Sequence, residues 1–178
     1  MRRIMHSKVA VAAGAFLLLS ATAVVLAQEN ESGAFGTVVP KTTCLSGMKW
    51  TNGNAGSPEM HPGSSCIDCH SSSEGPRFIV AGTVYQKFDE PNDCYGVEGV
   101  VVQITDAKGK VTRLTTNLAG NFTASARAFS FTMPIKVKII YKDKERAMMT
   151  AQSTGNCLSC HTARGANGAP GRIIIPTS

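Results

Sequence analysis

The sequence predicts a mainly β protein, a small antiparallel β-sandwich flanked by two loop or short-helix segments. Short runs rich in Val, Ile, Thr, Phe and Tyr fill residues 78–150, and turn-forming stretches separate them. The pentad Cys-x-x-Cys-His occurs once on each side of these runs, at residues 66–70 and 157–161. The chain is expected to divide into four parts: a signal peptide at residues 1–27, a loop-rich segment with the first pentad at 28–77, the β-sandwich at 78–150, and a C-terminal segment with the second pentad at 151–178.

Residues 1–27 have the pattern of a secretory signal peptide. Arg2, Arg3 and Lys8 precede the uncharged run VAVAAGAFLLLSATAVVLA, which ends at Ala27. This pattern predicts cleavage after Ala27 and an exported protein, periplasmic or extracellular. The alternative is an uncleaved anchor, because nineteen uncharged residues could nearly span a bilayer. No second such run follows, so no integral membrane segment is expected after cleavage.

The charge of the chain depends largely on this signal. The formal net charge is +6, but three of the eighteen Lys and Arg residues lie before residue 28. Fifteen basic and twelve acidic residues then remain, a net charge of +3. Since the remainder has no basic block and few aromatic residues, no nucleic-acid partner is expected. Its length suits one modest domain with its own core.

Five strands are predicted in the central part, and one or two more are left open. The runs are FIVAGTVYQ, VEGVVVQITD, KVTRLTTN, GNFTASAR and PIKVKIIYKD. The turn signals between them are EPND at 90–93, DAKGK at 106–110 and NLAGN at 117–121. Short strands joined by tight turns at regular spacing are typical of an antiparallel sandwich.

The sequences of these strands resemble those of a known domain family. AGTVY at 81–85 and GVVVQITDAKGKVTRLTTNLAGNFT at 99–123 are similar to the transthyretin-like sandwiches called carboxypeptidase regulatory-like domains. The shared features are Gly-x-Val in the first strand, Val-x-Val in a paired strand and Thr-Asn-x-x-Gly-x-Phe at a hairpin. The resemblance implies a supporting or binding module and brings no active-site residues.

The six cysteines allow three interpretations. Three disulfides are the plainest one in an exported chain, and a zinc site built from two Cys-x-x-Cys units is another. Neither requires a histidine directly after each unit. Cys-x-x-Cys-His is the signature of covalent c-type haem attachment, in which the cysteines form thioethers and the histidine binds the iron. The cysteines are Cys44, Cys66, Cys69, Cys94, Cys157 and Cys160.

The pentads therefore predict two covalently attached haem c groups. Cys66 and Cys69 would attach haem 1, with His70 as its proximal iron ligand. Cys157 and Cys160 would attach haem 2, with His161 as its proximal ligand. In these ten residues the chain resembles small multihaem cytochromes c, and that resemblance implies electron transfer.

The ligand on the far side of each iron is left between two candidates. For haem 1 they are His61 and Met60, in a turn shortly before the first pentad. For haem 2 they are Met148 and Met149, of which only one can face the iron because neighbouring strand residues point to opposite sides. The alternative for all four is an ordinary loop or core side chain.

Two arginines and two cysteines complete the candidate residues. Arg77 and Arg172 each follow a pentad and could hydrogen-bond a haem propionate, or could be solvated arginines at strand starts. Cys44 and Cys94 lie outside the pentads and are expected to form a disulfide, which a small exported domain gains from.

The expected function is electron transfer by an exported dihaem cytochrome. Such a protein would be an electron carrier and not an enzyme, and its partners would be redox proteins. One alternative is a dihaem peroxidase-like enzyme with an open iron position. Others are a structural or binding sandwich with accessory haem, and self-assembly of the cytochrome into an oligomer or filament. The number of strands bears on self-assembly. In an up-and-down sandwich, an even number of strands between the pentads would bring the pentads together, and an odd number would separate them.

Overall fold

Seven strands, a one-turn helix and a 3₁₀ turn make up the part of the chain described by the computed structural model, residues 57–71 and 75–177. Helix α1 is Cys66–Cys69 and the 3₁₀ turn is Cys157–Ser159. The strands are β1 (Phe78–Tyr85), β2 (Val101–Thr105), β3 (Val111–Thr115), β4 (Asn121–Ser125), β5 (Lys136–Tyr141), β6 (Lys144–Ala147) and β7 (Ile173–Ile174).

The strands form two sheets, with the orders β4-β1-β7 and β3-β2-β5-β6. All pairings are antiparallel except that of β7 with β1, which is parallel and places Val84 opposite Ile173. The expected antiparallel β-sandwich is confirmed, and each of the five predicted runs contains one strand. Strands β6 and β7 are additions to the expected set.

The core lies between the sheets and follows the two-residue period of the strands. In β2, Val102 and Ile104 are buried while their neighbours are partly exposed. Phe122 of β4 and Ile139 of β5 are buried in the same cluster. Alternation in the sequence therefore marks the inner face of the sandwich correctly.

Strand β1 departs from this alternation because it is buried on both faces. Val80 and Val84 belong to the core cluster, and Thr83 and Tyr85 are also 0% exposed. An antiparallel strand in a small sandwich usually has one solvated face. Here the segment before the first pentad covers it, and the backbone N–H of Gly63 donates to Thr83 Oγ1 at 3.0 Å.

The predicted turns at 106–110 and 117–121 are built on side-chain caps. Asp106 Oδ1 accepts from the backbone N–H groups of Lys108 and Lys110, each at 2.9 Å, and Oδ2 accepts from Thr132 at 3.1 Å. These three bonds lower the pKa of Asp106, and the bond from Thr132 has the largest effect. Asn117 Oδ1 closes the next turn in the same manner. Short Asx side chains bond to nearby backbone in this way and define turns.

The β5–β6 hairpin and β7 had weaker sequence signals. Lys142 and Asp143 form the two-residue connection with φ of 48° and 61°, although such turns favour Asn-Gly. Strand β7 has only two residues, too few for any period to be visible. In residues 57–71 and 75–177 no helix is long and apolar enough to span a bilayer, and the predicted signal, 1–27, lies outside them.

Candidate functional site

The two pentads lie side by side, although the residues that precede them are 91 positions apart in the chain. Asn156, directly before the second pentad, accepts a hydrogen bond from Ser65 Oγ at 3.1 Å. Its amide Nδ2 donates to Asp68 Oδ1, inside the first pentad, at 3.1 Å. Six strands, β1 to β6, separate the pentads. The expected effect of strand parity applies to an up-and-down sandwich, whereas the strand orders here are β4-β1-β7 and β3-β2-β5-β6, so the proximity of the pentads rests on the hydrogen bonds of Asn156.

The first pentad forms a single helical turn. The backbone N–H of His70 donates to the Cys66 carbonyl oxygen at 2.9 Å, so that both cysteines and the histidine belong to one turn. The His70 ring lies 4.6 Å from the Phe78 ring, at 53° to it. Its Nδ1 is buried and has no hydrogen-bond partner in the described part of the chain.

The second pentad forms a 3₁₀ turn and orients its histidine through the backbone. The N–H of His161 donates to the Cys157 carbonyl oxygen at 3.0 Å, and His161 Nδ1 lies 2.9 Å from the Gly171 carbonyl oxygen. A carbonyl oxygen can only accept, so Nδ1 carries the proton and Nε2 keeps its lone pair. Metal-binding histidines are oriented by the same kind of bond.

An apolar cavity of about 360 Å³ adjoins the second pentad. Cys157, Cys160 and His161 form part of its wall, and core side chains such as Phe122 form another part. The volume is at the lower end of the roughly 300–1,000 Å³ common for cofactor pockets. The glycine-rich loop 167–170 also lines it. Two thiols and an imidazole on the wall of such a cavity could hold a flat organic cofactor covalently.

The two methionine candidates for haem 2 point in different directions. Met148 is partly buried and packs against the core cluster, whereas the Met149 side chain is fully exposed, at 101%. Both line the cavity beside His161. Strand β6 ends at Ala147, so neither methionine lies in a strand and the expected alternation of neighbouring strand residues does not apply to this pair. Met149 is the one exposed outside the core.

The segment with the haem 1 candidates is fixed on the outer face of the sheet. Asn121 Nδ2 donates to the Met60 carbonyl oxygen at 2.9 Å, and Thr83 Oγ1 donates to Asn121 Oδ1 at 2.7 Å. His61 follows with φ of 46°, a left-handed conformation that histidine adopts more readily than most residues. Buried polar contacts therefore hold this turn beside the first pentad.

The two arginines have different environments. Arg172 is 2% exposed, forms an ion pair with Asp93 and donates from Nε to the Glu90 carbonyl oxygen at 2.8 Å. Its guanidinium carbon lies 4.3 Å above the Tyr85 ring. The carboxylate of Asp93 therefore balances the positive charge of Arg172 inside the protein, and a haem propionate is not needed to explain the position of this side chain. Arg77 is exposed, and its propionate contact stays a prediction.

The first cysteine of each pentad has a thiol that is hard to ionise. Burial raises the pKa of Cys66 to about 11, and negative charge on Cys69 adds to the rise. Burial also raises the pKa of Cys157 to about 12, with a further rise from negative charge on Cys66. That second effect crosses between the pentads and reflects the proximity of their sulfurs. Both thiols are neutral at ordinary pH, a state in which cysteine is a poor nucleophile.

The remaining cysteine predictions are partly outside the described residues. Cys94 is disulfide-bonded, while Cys44, its predicted partner, lies outside them. Within the described residues, none of the four pentad cysteines is part of a disulfide. In residues 57–71 and 75–177, no three His, Cys, Asp or Glu side chains are grouped so as to hold a metal ion.

Sequence reasoning missed three residues at the site. Asn156 links the pentads, Asn121 holds the Met60 turn, and Arg146 lies 4.7 Å above the Phe88 ring while lining the cavity. The only local signal was the type of residue before each pentad, since Ser65 and Asn156 are both preferred helix N-caps. Comparison with family models, curated proteins and solved structures found no match to this chain.

Proposed function

We propose that this protein is an exported c-type cytochrome that holds two covalent haems and passes electrons, one at a time, between redox partner proteins. The observation that carries the proposal is the bond from His161 Nδ1 to the Gly171 carbonyl oxygen, beside the apolar cavity walled by Cys157 and Cys160. Covalent haem binding requires two thiols, an imidazole with a free nitrogen and a dry space for the porphyrin. The second pentad supports the proposal because its two thiols and an imidazole oriented by the Gly171 carbonyl lie on the wall of a mainly apolar cavity.

Each residue of the second pentad then has one task. Cys157 and Cys160 would hold the porphyrin by thioether bonds, and His161 would ligate iron through Nε2 while the Gly171 carbonyl fixes the ring. When bound, haem supplies a one-electron iron couple. The apolar cavity wall limits water access and so influences the potential of that couple.

The first pentad supports the same assignment on fewer contacts. Cys66, Cys69 and His70 share one helical turn, the arrangement that haem attachment requires. The buried Nδ1 of His70 belongs to an imidazole packed against Phe78. This packing would hold the ring in place.

The candidates for the distal ligands favour an electron carrier over a peroxidase-like enzyme. Met149 is free of the core and lines the cavity, so we assign it, in preference to Met148, as the sixth ligand of haem 2. For haem 1 the candidates remain His61 and Met60, in the turn anchored by Asn121. Iron with six ligands exchanges electrons but leaves no open position for a substrate.

The β-sandwich serves this function as a frame. Both pentads contact β1, and the core beneath them is the interior of the sandwich. A supporting role is also what the resemblance to carboxypeptidase regulatory-like domains implies. Export to the periplasm or beyond suits this assignment, because c-type haem is attached outside the bacterial cytoplasm.

The test is to express the full chain together with a c-type haem attachment system and to measure intact mass, haem content and metal content. We expect a mature chain carrying two haems. Cys66→Ala/Cys69→Ala and Cys157→Ala/Cys160→Ala variants should each keep one haem, which assigns each haem to its pentad.

Two results would count against the proposal. A purified chain with zinc and no haem would replace it with the zinc interpretation. A chain with two haems but a five-coordinate ferric spectrum at either iron would favour the peroxidase-like alternative.

A further inference from the structure

The residues before the two pentads occupy helix N-cap positions but do not cap. Ser65 is the N-cap of α1 and Asn156 is the N-cap of the 3₁₀ turn, and neither side chain bonds to its own turn. Serine and asparagine are among the best N-caps, and such a cap contributes roughly 1 kcal/mol. Both side chains forgo that local stabilisation and are used elsewhere.

They are used to bond one turn to the other. Ser65 Oγ donates to Asn156 Oδ1, and Asn156 Nδ2 donates to Asp68 Oδ1, both at 3.1 Å. One amide side chain therefore uses its acceptor and a donor on two different residues of the opposite turn. A planar amide that contacts two points fixes both distance and orientation.

The backbone on either side of this link is itself rigid. The Ala81 N–H donates to the Gly155 carbonyl oxygen at 3.0 Å, and Asn156 pairs with Ala81 in a parallel bridge. A Cβ on Gly155 would collide with the Ile79 carbonyl oxygen, so only glycine permits this approach to β1. The first turn is held on the same strand by Gly63 and Thr83.

We infer that Asn156 is a positioning residue that locks the two haem-attachment turns into one rigid unit, so that the two haems have a fixed mutual orientation. This inference rests on the proposed function. It adds that the haems form a coupled pair within one chain, and it assigns that coupling to a side chain outside both pentads.

The readout is circular dichroism in the Soret region of the haem-loaded protein, where two close haems of fixed orientation give a bisignate couplet. We expect a couplet in the natural protein. Asn156→Ala removes both bonds, whereas Asn156→Asp keeps an acceptor for Ser65 Oγ but replaces the Nδ2 donor with a carboxylate oxygen that faces Asp68. Each variant should lose about half of the couplet amplitude or more while retaining two haems, since the link consists of ordinary hydrogen bonds.

Two further variants separate positioning from general damage. Asn156→Asp combined with Asp68→Asn exchanges donor and acceptor and should restore the couplet, as expected for directly coupled residues. Ser71→Ala is the matched control, because Ser71 Oγ donates to the Asp68 carbonyl oxygen at 2.7 Å, a bond of an exposed side chain beside the first turn that does not reach the second turn. It should leave the couplet unchanged.

The inference and the proposed function fail in different ways. Absence of haem from the natural protein overturns the proposed function. Two haems without a couplet, or a couplet unaffected by Asn156→Ala, overturns the inference alone. If Asn156→Ala does not load haem, the exchange pair decides: failure of Asp68→Asn to restore the couplet in Asn156→Asp overturns the inference.

Discussion

Arg172 illustrates how much one residue's role depends on its surroundings. It follows the second pentad in a glycine-rich segment, where the sequence suggests a surface arginine able to reach a propionate. In the fold it is among the largest fully buried side chains, with Asp93 and the Tyr85 ring as neighbours. Burial of Tyr85 also raises the pKa of its phenol. The charge of Arg172 therefore contributes to stability through one specific carboxylate.

Asp93→Asn should strongly destabilise the protein. The substitution preserves shape but leaves the buried guanidinium without a counter-charge, and removal of one partner of a buried ion pair typically costs about 3–5 kcal/mol. Urea unfolding of the haem-loaded protein measures the change. Arg127→Ala is the control, since Arg127 is exposed and exposed substitutions usually change stability by less than about 0.5 kcal/mol. Equal stability of Asp93→Asn and the natural protein would refute a stabilising ion pair.

Met148 and Met149 should separate cleanly by substitution. Met149→Leu should remove the methionine-to-iron absorption band of oxidised haem 2, because it replaces the thioether of the proposed ligand with a side chain that cannot bind iron. Met148→Leu should keep the band and cost less than about 1.5 kcal/mol, as a volume-conserving core change does. Loss of the band in Met148→Leu alone would reverse the assignment.

At the scale of elements, β1 organises the candidate site. One of its neighbours is β4, and along its other edge it pairs with β7 and with the segment at Asn156. Its outer face is covered by the turn around Gly63. Both faces and both edges of β1 are occupied, so β1 is a firmly held support. The turns of both pentads contact it and are positioned by it.

The turn of the β5–β6 hairpin can be made more stable by substitution. Lys142 and Asp143 both have left-handed backbone, which strains residues other than glycine and, less so, asparagine. The double substitution Lys142→Asn and Asp143→Gly should stabilise the protein by about 0.5–1 kcal/mol. Thermal unfolding should show a midpoint higher by about 1–4 °C.

Lys108→Gly is the control for this hairpin. Lys108 has no positive φ in its turn, so glycine there only adds flexibility to the unfolded chain and should not stabilise. A hairpin variant no more stable than Lys108→Gly would contradict the strain at residues 142 and 143.

At the scale of the whole molecule, the C-terminal segment closes the fold. After the second pentad the chain returns to β1, where β7 pairs with it in parallel. Ile174 and Ile175 are 4% and 7% exposed, and Ile173 lines the cavity. The segment therefore completes both the core and the candidate haem pocket.

A chain that ends at Arg172 should lose about 3–6 kcal/mol of stability, the value of burying two isoleucines. That is a large part of the roughly 5–15 kcal/mol that holds a domain together. Urea unfolding and haem content measure the loss. A chain that ends at Pro176 removes little buried surface and is the control. Similar stability of the two truncated chains would show that β7 is dispensable.

Local patterns in the sequence determined much of the architecture. Strands β2 to β5 follow from two-residue alternation, and β1 follows from a short run rich in apolar and β-branched residues. The turns at 106–110 and 117–121 follow from their Asp, Asn and Gly residues, and the pentads can be read directly from the sequence. These features depend on residues within a few positions of each other, so a linear reading is enough to find them.

The tertiary structure alone decided how these parts meet. The link from Asn156 to Ser65 spans 91 positions, and the bond from Arg172 to Asp93 spans 79. Met148 packs against the core cluster while Met149 is exposed, a difference that their neighbouring positions in the sequence do not show. Such contacts form only when distant segments pack on the same strand, and their energies depend on burial and geometry that no local pattern encodes.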